Sequence, residues 1–271
     1  MFEAISKAIR NSARDILNKE YLFAAGIGLA LSGLLFAFFL ALSFSAGEWL
    51  GGSLPFLGYF FSLWIILGAG ILIVRSRSLR SAGRFSLATA VRASWKQILL
   101  SSNVMLPVVA AFAVIWFCLG VFVLIAQLPH AGTAFAAVFA FIPFLLFLLL
   151  IVMAAAAPVA LFFCLPVLAQ HGDLSPKELS LRVWHRLRDF PFKSFADVVI
   201  ALIPLAVLFA LMNSAKCLTI RLLAPTMNEI EFGIMALMIL LPFCVLLAPG
   251  LLFFFSYSVE SHNELSNQSK S

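Results

Sequence analysis

Charge is what this chain has least of. Asp, Glu, Lys and Arg together make up 11% of its 271 residues, and only twelve of them are acidic. A soluble domain carries about a quarter charged residues, so the composition excludes a water-soluble domain of this size. Chemistry-bearing motifs are missing too. Cys118, Cys164, Cys217 and Cys244 all sit in or beside apolar runs and form no Cys-x-x-Cys pair, so they read as small hydrophobes in helices. There is no P-loop, no Ser-His-Asp set and no Gly-rich dinucleotide turn. No catalytic residue, metal ligand or cofactor is therefore expected. Charge within the apolar runs, the usual mark of an ion path, is nearly absent: Glu48 falls in an outer connection and Asp197 at the inner edge of the fifth span. That argues against a proton-coupled pump. A cleavable signal is not expected either. The first apolar run, from Tyr21, is about two dozen residues, beyond the roughly 7–15 of a signal core.

Hydrophobic residues supply 63% of the chain, 29 residues are Phe, and the mean hydropathy is +1.08. This excess is too large for a buried core and predicts an all-α, polytopic integral membrane protein. Six spans are expected, at about Tyr21–Phe44, Leu54–Val74, Val104–Ala126, Ala134–Leu168, Val198–Leu211 and Phe232–Tyr257. The fourth exceeds the ~20 residues of one crossing, with Pro158 and Pro166 expected to kink it or let its end emerge. The fifth is expected to extend through Asn213 to Leu223. Residues 1–19 place Phe2, Ile5, Ile9 and Ile16 on one face and Lys7, Arg10 and Arg14 on another, which predicts an amphipathic helix on the membrane surface.

Sixteen of the 18 Lys and Arg residues fall before the first span, in 75–103, in 169–197 or in the tail. Only Lys216 and Arg221 fall on the other side. The excess of basic residues predicts that both termini are cytoplasmic, in a bacterial inner membrane.

Three spans open with one word, Leu54-Pro55-Phe56, Ile142-Pro143-Phe144 and Leu241-Pro242-Phe243, each proline expected in a first helical turn. Toward their ends stand Gly70-Ile71-Leu72, Pro158-Val159-Ala160 and Pro249-Gly250-Leu251. The exits Ala82-Gly83-Arg84-Phe85-Ser86, His171-Gly172-Asp173-Leu174-Ser175 and His262-Asn263-Glu264-Leu265-Ser266 also align, with Ser86 and Ser175 as helix N-caps. Trp95 and Trp184 each lie nine residues after that serine. The unit is amphipathic helix, span, span, and it predicts three parallel repeats over about 1–83, 84–172 and 173–260 of one membrane domain, followed by the tail 261–271.

The amphipathic segments are the one place where the pattern suggests an interaction. In 87–99 the apolar face is Leu87, Val91, Trp95, Ile98 and Leu99, beside Arg92 and Lys96. In 176–190 it is Leu179, Val183, Trp184, Leu187 and Phe190, with Arg182, Arg186 and Arg188 outward. Trp at an interface beside Arg and Lys fits anionic lipid headgroups better than nucleic acid. Gly33, Ala37 and Ala41 form a small stripe in span one, a packing face within the chain or against a second copy or another membrane protein. His171 and His262, with Asp173 and Glu264, occupy equivalent exits. Ala82 and Arg84 break that pattern in the first repeat, so these read as turn residues rather than a metal pair. His130 and His185 have no ligand-spaced partner.

From Gly70 through Trp95-Lys96, and from Pro158-Val159-Ala160 through Trp184-His185-Arg186, the chain resembles the membrane domain of some bacterial glycerophosphodiester phosphodiesterases. It is also similar to a broad set of bacterial six-span proteins of unknown role. The resemblance implies a membrane module. The soluble catalytic barrel of those enzymes has no counterpart here, so no active-site residue carries over. The expected function is non-enzymatic: organisation of lipid or partner proteins at the cytoplasmic leaflet. The alternative is a permease or lipid-translocating protein with a path between the repeats.

Overall fold

A computed structural model describes residues 2–46, 48–81, 87–128, 132–170, 176–223 and 229–268. Among these the chain is almost entirely helical, with no strand. The helices are α1 (Phe2–Ile16), α2 (Lys19–Ser45), α3 (Glu48–Ser81), α4 (Leu87–Ala126), α5 (Gly132–Val138), α6 (Phe141–Gln170), α7 (Pro176–Asp189), α8 (Pro191–Leu223) and α9 (Glu229–Gln268). Six of them, α2, α3, α4, α6, α8 and α9, are long and apolar enough to cross a bilayer. A helix satisfies its own backbone hydrogen bonds, which hydrocarbon requires. The protein is thus multi-pass and integral to a membrane.

The helix boundaries depart from the sequence expectation in instructive places. The fourth run does not stay continuous from Ala134. It breaks at Phe139 and Ala140 into α5 and α6, with Phe139 N–H donating to the Phe135 carbonyl and Ile142 N–H to the Phe139 carbonyl, both at 2.9 Å. Pro143, lacking an N–H, fits the first turn of α6. Pro158 and Pro166 lie within that helix. Pro55 and Pro242 do not open their helices as expected, because α3 and α9 begin well upstream of them. Segment 87–99 is not a separate helix: it runs straight into its span as α4. Ser101 and Ser102 sit at the join with their hydroxyls bonded to the Ile98 and Leu99 carbonyls, and nothing there breaks the ladder. α7 is set off by a bend at Phe190 before Pro191, as α1 is set off from α2 at Leu17 and Asn18.

α3 and α9 form the centre. About half of each apolar window is buried (50% and 53%), against 11–22% for the other four spans. α2 lies along both, α4 packs on α3, α6 joins α3, α4 and α9, and α8 packs on α9. Among the described residues α8 makes no comparable approach to α6. Close crossings fall at glycines. A Cβ on Gly28 of α2 would come within 2.6 Å of the Ala69 Cβ of α3. One on Gly70 would meet Leu165 of α6 at 2.9 Å and Phe255 of α9 at 3.1 Å, so three helices converge there. Around that point Leu67, Ile71, Phe162, Leu165, Leu252 and Phe255 make the main core; Phe60, Phe112, Ile115, Leu119 and Leu150 make a second among α3, α4 and α6. Interhelical hydrogen bonds add to this packing: Tyr59 Oη to the Ala154 carbonyl, Ser62 Oγ to the Ser32 carbonyl and Trp64 Nε1 to Ser101 Oγ.

Candidate functional site

One end of the bundle gathers most of the charge. Arg77, near the end of α3, bridges Asp15 of α1 (3.3 Å) and Glu260 of α9 (2.5 Å). Gln170, at the end of α6, donates to Asn263 of α9 at 2.9 Å. Arg186 of α7 donates through Nη2 to Ser261 Oγ of α9 at 2.8 Å. These contacts bring α1, the ends of α3, α6 and α9, and α7 to the same end of the molecule.

The surface of this end is built unexpectedly. From Thr89 on, the buried residues in the first turns of α4 are Ala90, Ser94, Gln97 and Ser101, spaced four, three and four apart, which is one face of a helix. They are small or polar, a packing face that the apolar pattern of the sequence does not mark. The Gln97 amide accepts from Arg75 Nη1 and donates to the Ala93 carbonyl, both at 2.8 Å. Trp95 is left 57% exposed and Leu99 53%, with Arg92 and Lys96 exposed beside them. α7 follows the same plan. Leu179 is buried, Val183 and Leu187 rest against the core, and Trp184 is 62% exposed with Leu181, Arg182 and Arg188. The inward positions of the two segments recur at an interval of 89: Ala90 and Leu179, Ser94 and Val183, Gln97 and Arg186. α1 packs along α9, with Ala8 and Ser12 buried and Ile9 and Arg10 exposed. Its inward face is thus taken by protein rather than by membrane.

Arg186 is a correction to the expected outward basic cluster. It points inward, because its long apolar stem and planar head lie across Phe163 (4.9 Å to the ring centroid) and Phe162 (5.9 Å). Its Nη1 lies 3.4 Å from His262 Nδ1. Burial pulls its pKa down to about 10, with the charge of Asp197 acting the other way, so the guanidinium stays protonated at neutral pH. Through Ser261 it reaches Asp197 on α8, which is only 1% exposed. Asp197 accepts from Ser261 Oγ at 2.5 Å and from Tyr257 Oη at 3.0 Å. Ser258 Oγ ties the same stretch of α9 to the Phe162 carbonyl. Asp197, which stood out in the sequence only as a lone acid at a span edge, is therefore the anchor of a buried polar chain linking α7, α8 and α9. Tyr257, Ser258 and Ser261 were not singled out from sequence. The available signal was a polar stretch, Ser256 to Ser261, closing the apolar run of α9.

The other expected residues are placed as follows. Gly33 packs on α9, where a Cβ would lie 3.0 Å from Leu240 and 3.4 Å from Cys244. Ala37 is half-buried and Ala41 exposed. His185 is exposed, and His262 lies against Arg186. His130, His171, Asp173, Ser86 and Ser175 lie outside the described residues. At the turn between α1 and α2, an open crease of about 730 Å³ is lined by Arg14, Asp15, Asn18, Lys19, Glu20 and Arg77, among others. Comparison of the chain with family models, with curated proteins and with solved structures finds no match.

Proposed function

We propose that this is a non-enzymatic protein of a bacterial inner membrane that organises anionic lipid, or partner proteins, at the cytoplasmic leaflet. The observation that carries the reading is the outward face of the two segments at the basic end. Trp95 and Trp184 stand exposed there with Arg92, Lys96, Arg182 and Arg188, while small and polar residues of α4 do the packing. A helix that turns its aromatic and basic side chains away from its own bundle offers them to the interface. Each basic residue near an anionic surface contributes about 1 kcal/mol, screened beyond a Debye length. Four such charges are enough to bias the composition of the surrounding lipid. The basic excess at this end supports a cytoplasmic placement of both termini. The 89-residue interval between the inward faces supports the parallel three-repeat reading.

The test replaces Arg92, Lys96, Arg182 and Arg188 with Gln and compares the lipid that co-purifies in native polymer discs. Loss of anionic enrichment from a folded, correctly inserted variant is expected. Unchanged composition would leave these residues only an orienting role.

One observation favours the alternative, a permease or lipid-translocating protein. Among the described residues α8 packs on α9 with no comparable approach to α6, so the second and third repeats meet chiefly through α6 with α7 and α9, and α8 is the span least tied to the rest. Under this reading reconstituted protein speeds the passage of a labelled phospholipid between leaflets; under the leading one it does not.

A further inference from the structure

α7 is held to the bundle differently from the other helices at its end. α1 lies close along α9, with Ala8 and Ser12 pressed into the contact, and 87–99 is one piece with its span. Among the described residues α7 comes close along its backbone chiefly to α6 and α8, the helices before and after it in the chain. It rests Leu179, Val183 and Leu187 on the core and reaches across to α9 through Arg186. Where α7 meets α8 the chain bends at Phe190, and Pro191 has no N–H to continue the ladder.

We infer that α7 is a strap, hinged at Phe190 and Pro191 and fastened by the chain Arg186–Ser261–Asp197, which lifts from the bundle as a unit and uncovers Asp197. The closed position leaves polar groups incompletely satisfied: Arg186 Nε and Ser194 Oγ are buried without a hydrogen-bond partner. Such atoms carry the cost of lost hydration, and lifting the strap gives Arg186 Nε back to water. Closing gains the burial of Leu179, the Arg186 to Ser261 hydrogen bond and the seat of Arg186 across Phe162 and Phe163. The two positions are thus balanced by a small set of named contacts, as a bistable element requires. Opening carries Trp184, Arg182 and Arg188 away with the helix and leaves the Asp197 carboxylate, with the Tyr257 hydroxyl, facing solvent. The strap does not depend on what binds its outer face, so it stands apart from the lipid reading.

The test uses the full chain in nanodiscs with the four native cysteines replaced. Leu179→Cys puts a thiol on the underside of the strap, and Ser12→Cys puts one in the equally buried contact of α1 with α9. Both are labelled with a bulky charged maleimide. The expectation is slow labelling at both sites in the parent, and labelling about tenfold or more faster at position 179 once Arg186→Gln is added, with position 12 unchanged. An unchanged rate at 179, or equal acceleration at 12, overturns the strap. Should Arg186→Gln fail to fold, Ser261→Ala removes the bridging hydroxyl instead and is read by the same two outcomes.

Discussion

Replacing Asp197 with Ala is the sharpest test of the polar chain that joins α7, α8 and α9. The carboxylate is all but sealed from solvent and accepts two hydroxyls, from Tyr257 and Ser261. Its loss orphans the Tyr257 hydroxyl, which is itself fully buried, at about 1–3 kcal/mol. It also removes the counter-charge from Arg186, held over Phe163. Removing one partner of a buried ionic arrangement typically costs about 3–5 kcal/mol, and we expect Asp197→Ala to fall in that range. Ser261→Ala breaks one bond to each side, yet leaves Asp197 its Tyr257 donor; about 2–3 kcal/mol is expected. Tyr257→Phe removes a single donor and should cost about 1–1.5 kcal/mol. The order Asp197→Ala, Ser261→Ala, Tyr257→Phe is the prediction, read from reversible unfolding in mixed detergent micelles followed by far-UV circular dichroism. A double-mutant cycle between Asp197 and Tyr257 should show at least about 1 kcal/mol of coupling. If Asp197→Ala costs no more than Tyr257→Phe, or the cycle is additive, the carboxylate is not the anchor.

Three further outcomes are expected. Gly28→Ala should destabilise by about 1–3 kcal/mol, because its Cβ would collide with Ala69, whereas Gly26→Ala, with nothing within 4 Å, should be close to neutral; equal effects would contradict the α2–α3 crossing. Arg77→Gln should loosen α1 by breaking its bridge to Asp15 and Glu260, seen as faster tryptic cleavage after Arg14 with the spans intact. Single-Trp proteins that keep Trp95 or Trp184 should be quenched more by lipid spin-labelled at the headgroup than at the chain end; the reverse depth order would place these residues away from the interface.

The membrane character and the six spans were legible because hydrocarbon imposes a coarse rule, about 20 apolar residues per crossing, and the runs obey it. The extension of α8 to Leu223 was legible for the same reason. The break at Phe139 was not. Pro158 and Pro166 looked like the stronger interruptions, but a helix can carry proline where neighbouring segments compensate. The inward face of 87–101 was not read from the sequence, because apolar periodicity picks out Leu87, Val91, Trp95 and Ile98 and passes over the small and polar residues that do the packing. In a membrane the apolar face can point outward, and small residues let backbones approach; Ser94 and Ser101 are buried while Trp95 is not. Arg186 was grouped with Arg182 and Arg188 by its charge. Its true setting depends on Phe162, Phe163 and Ser261, which come from helices distant in sequence. The same holds for Asp197: a lone acid is visible in a string of letters, but its two hydroxyl donors are about 60 positions away.

The central place of α9 sets an order of assembly. This helix packs on α1, α2, α3, α6 and α8, yet it leaves the ribosome after all of them. The hairpin of α2 and α3 can close as soon as it enters the bilayer. The Arg77 to Glu260 link, 183 residues apart in the chain, cannot form until synthesis has passed α9. Until then α1 lacks its main packing surface, Asp197 lacks both donors, and Arg186 has no Ser261 to reach. A nascent chain halted before residue 250 therefore holds five apolar helices without their hub, which is the form a membrane quality-control protease would meet. Arrival of α9, rather than insertion of the early spans, is the step that fastens α1 and α8 to the helices already packed on α3.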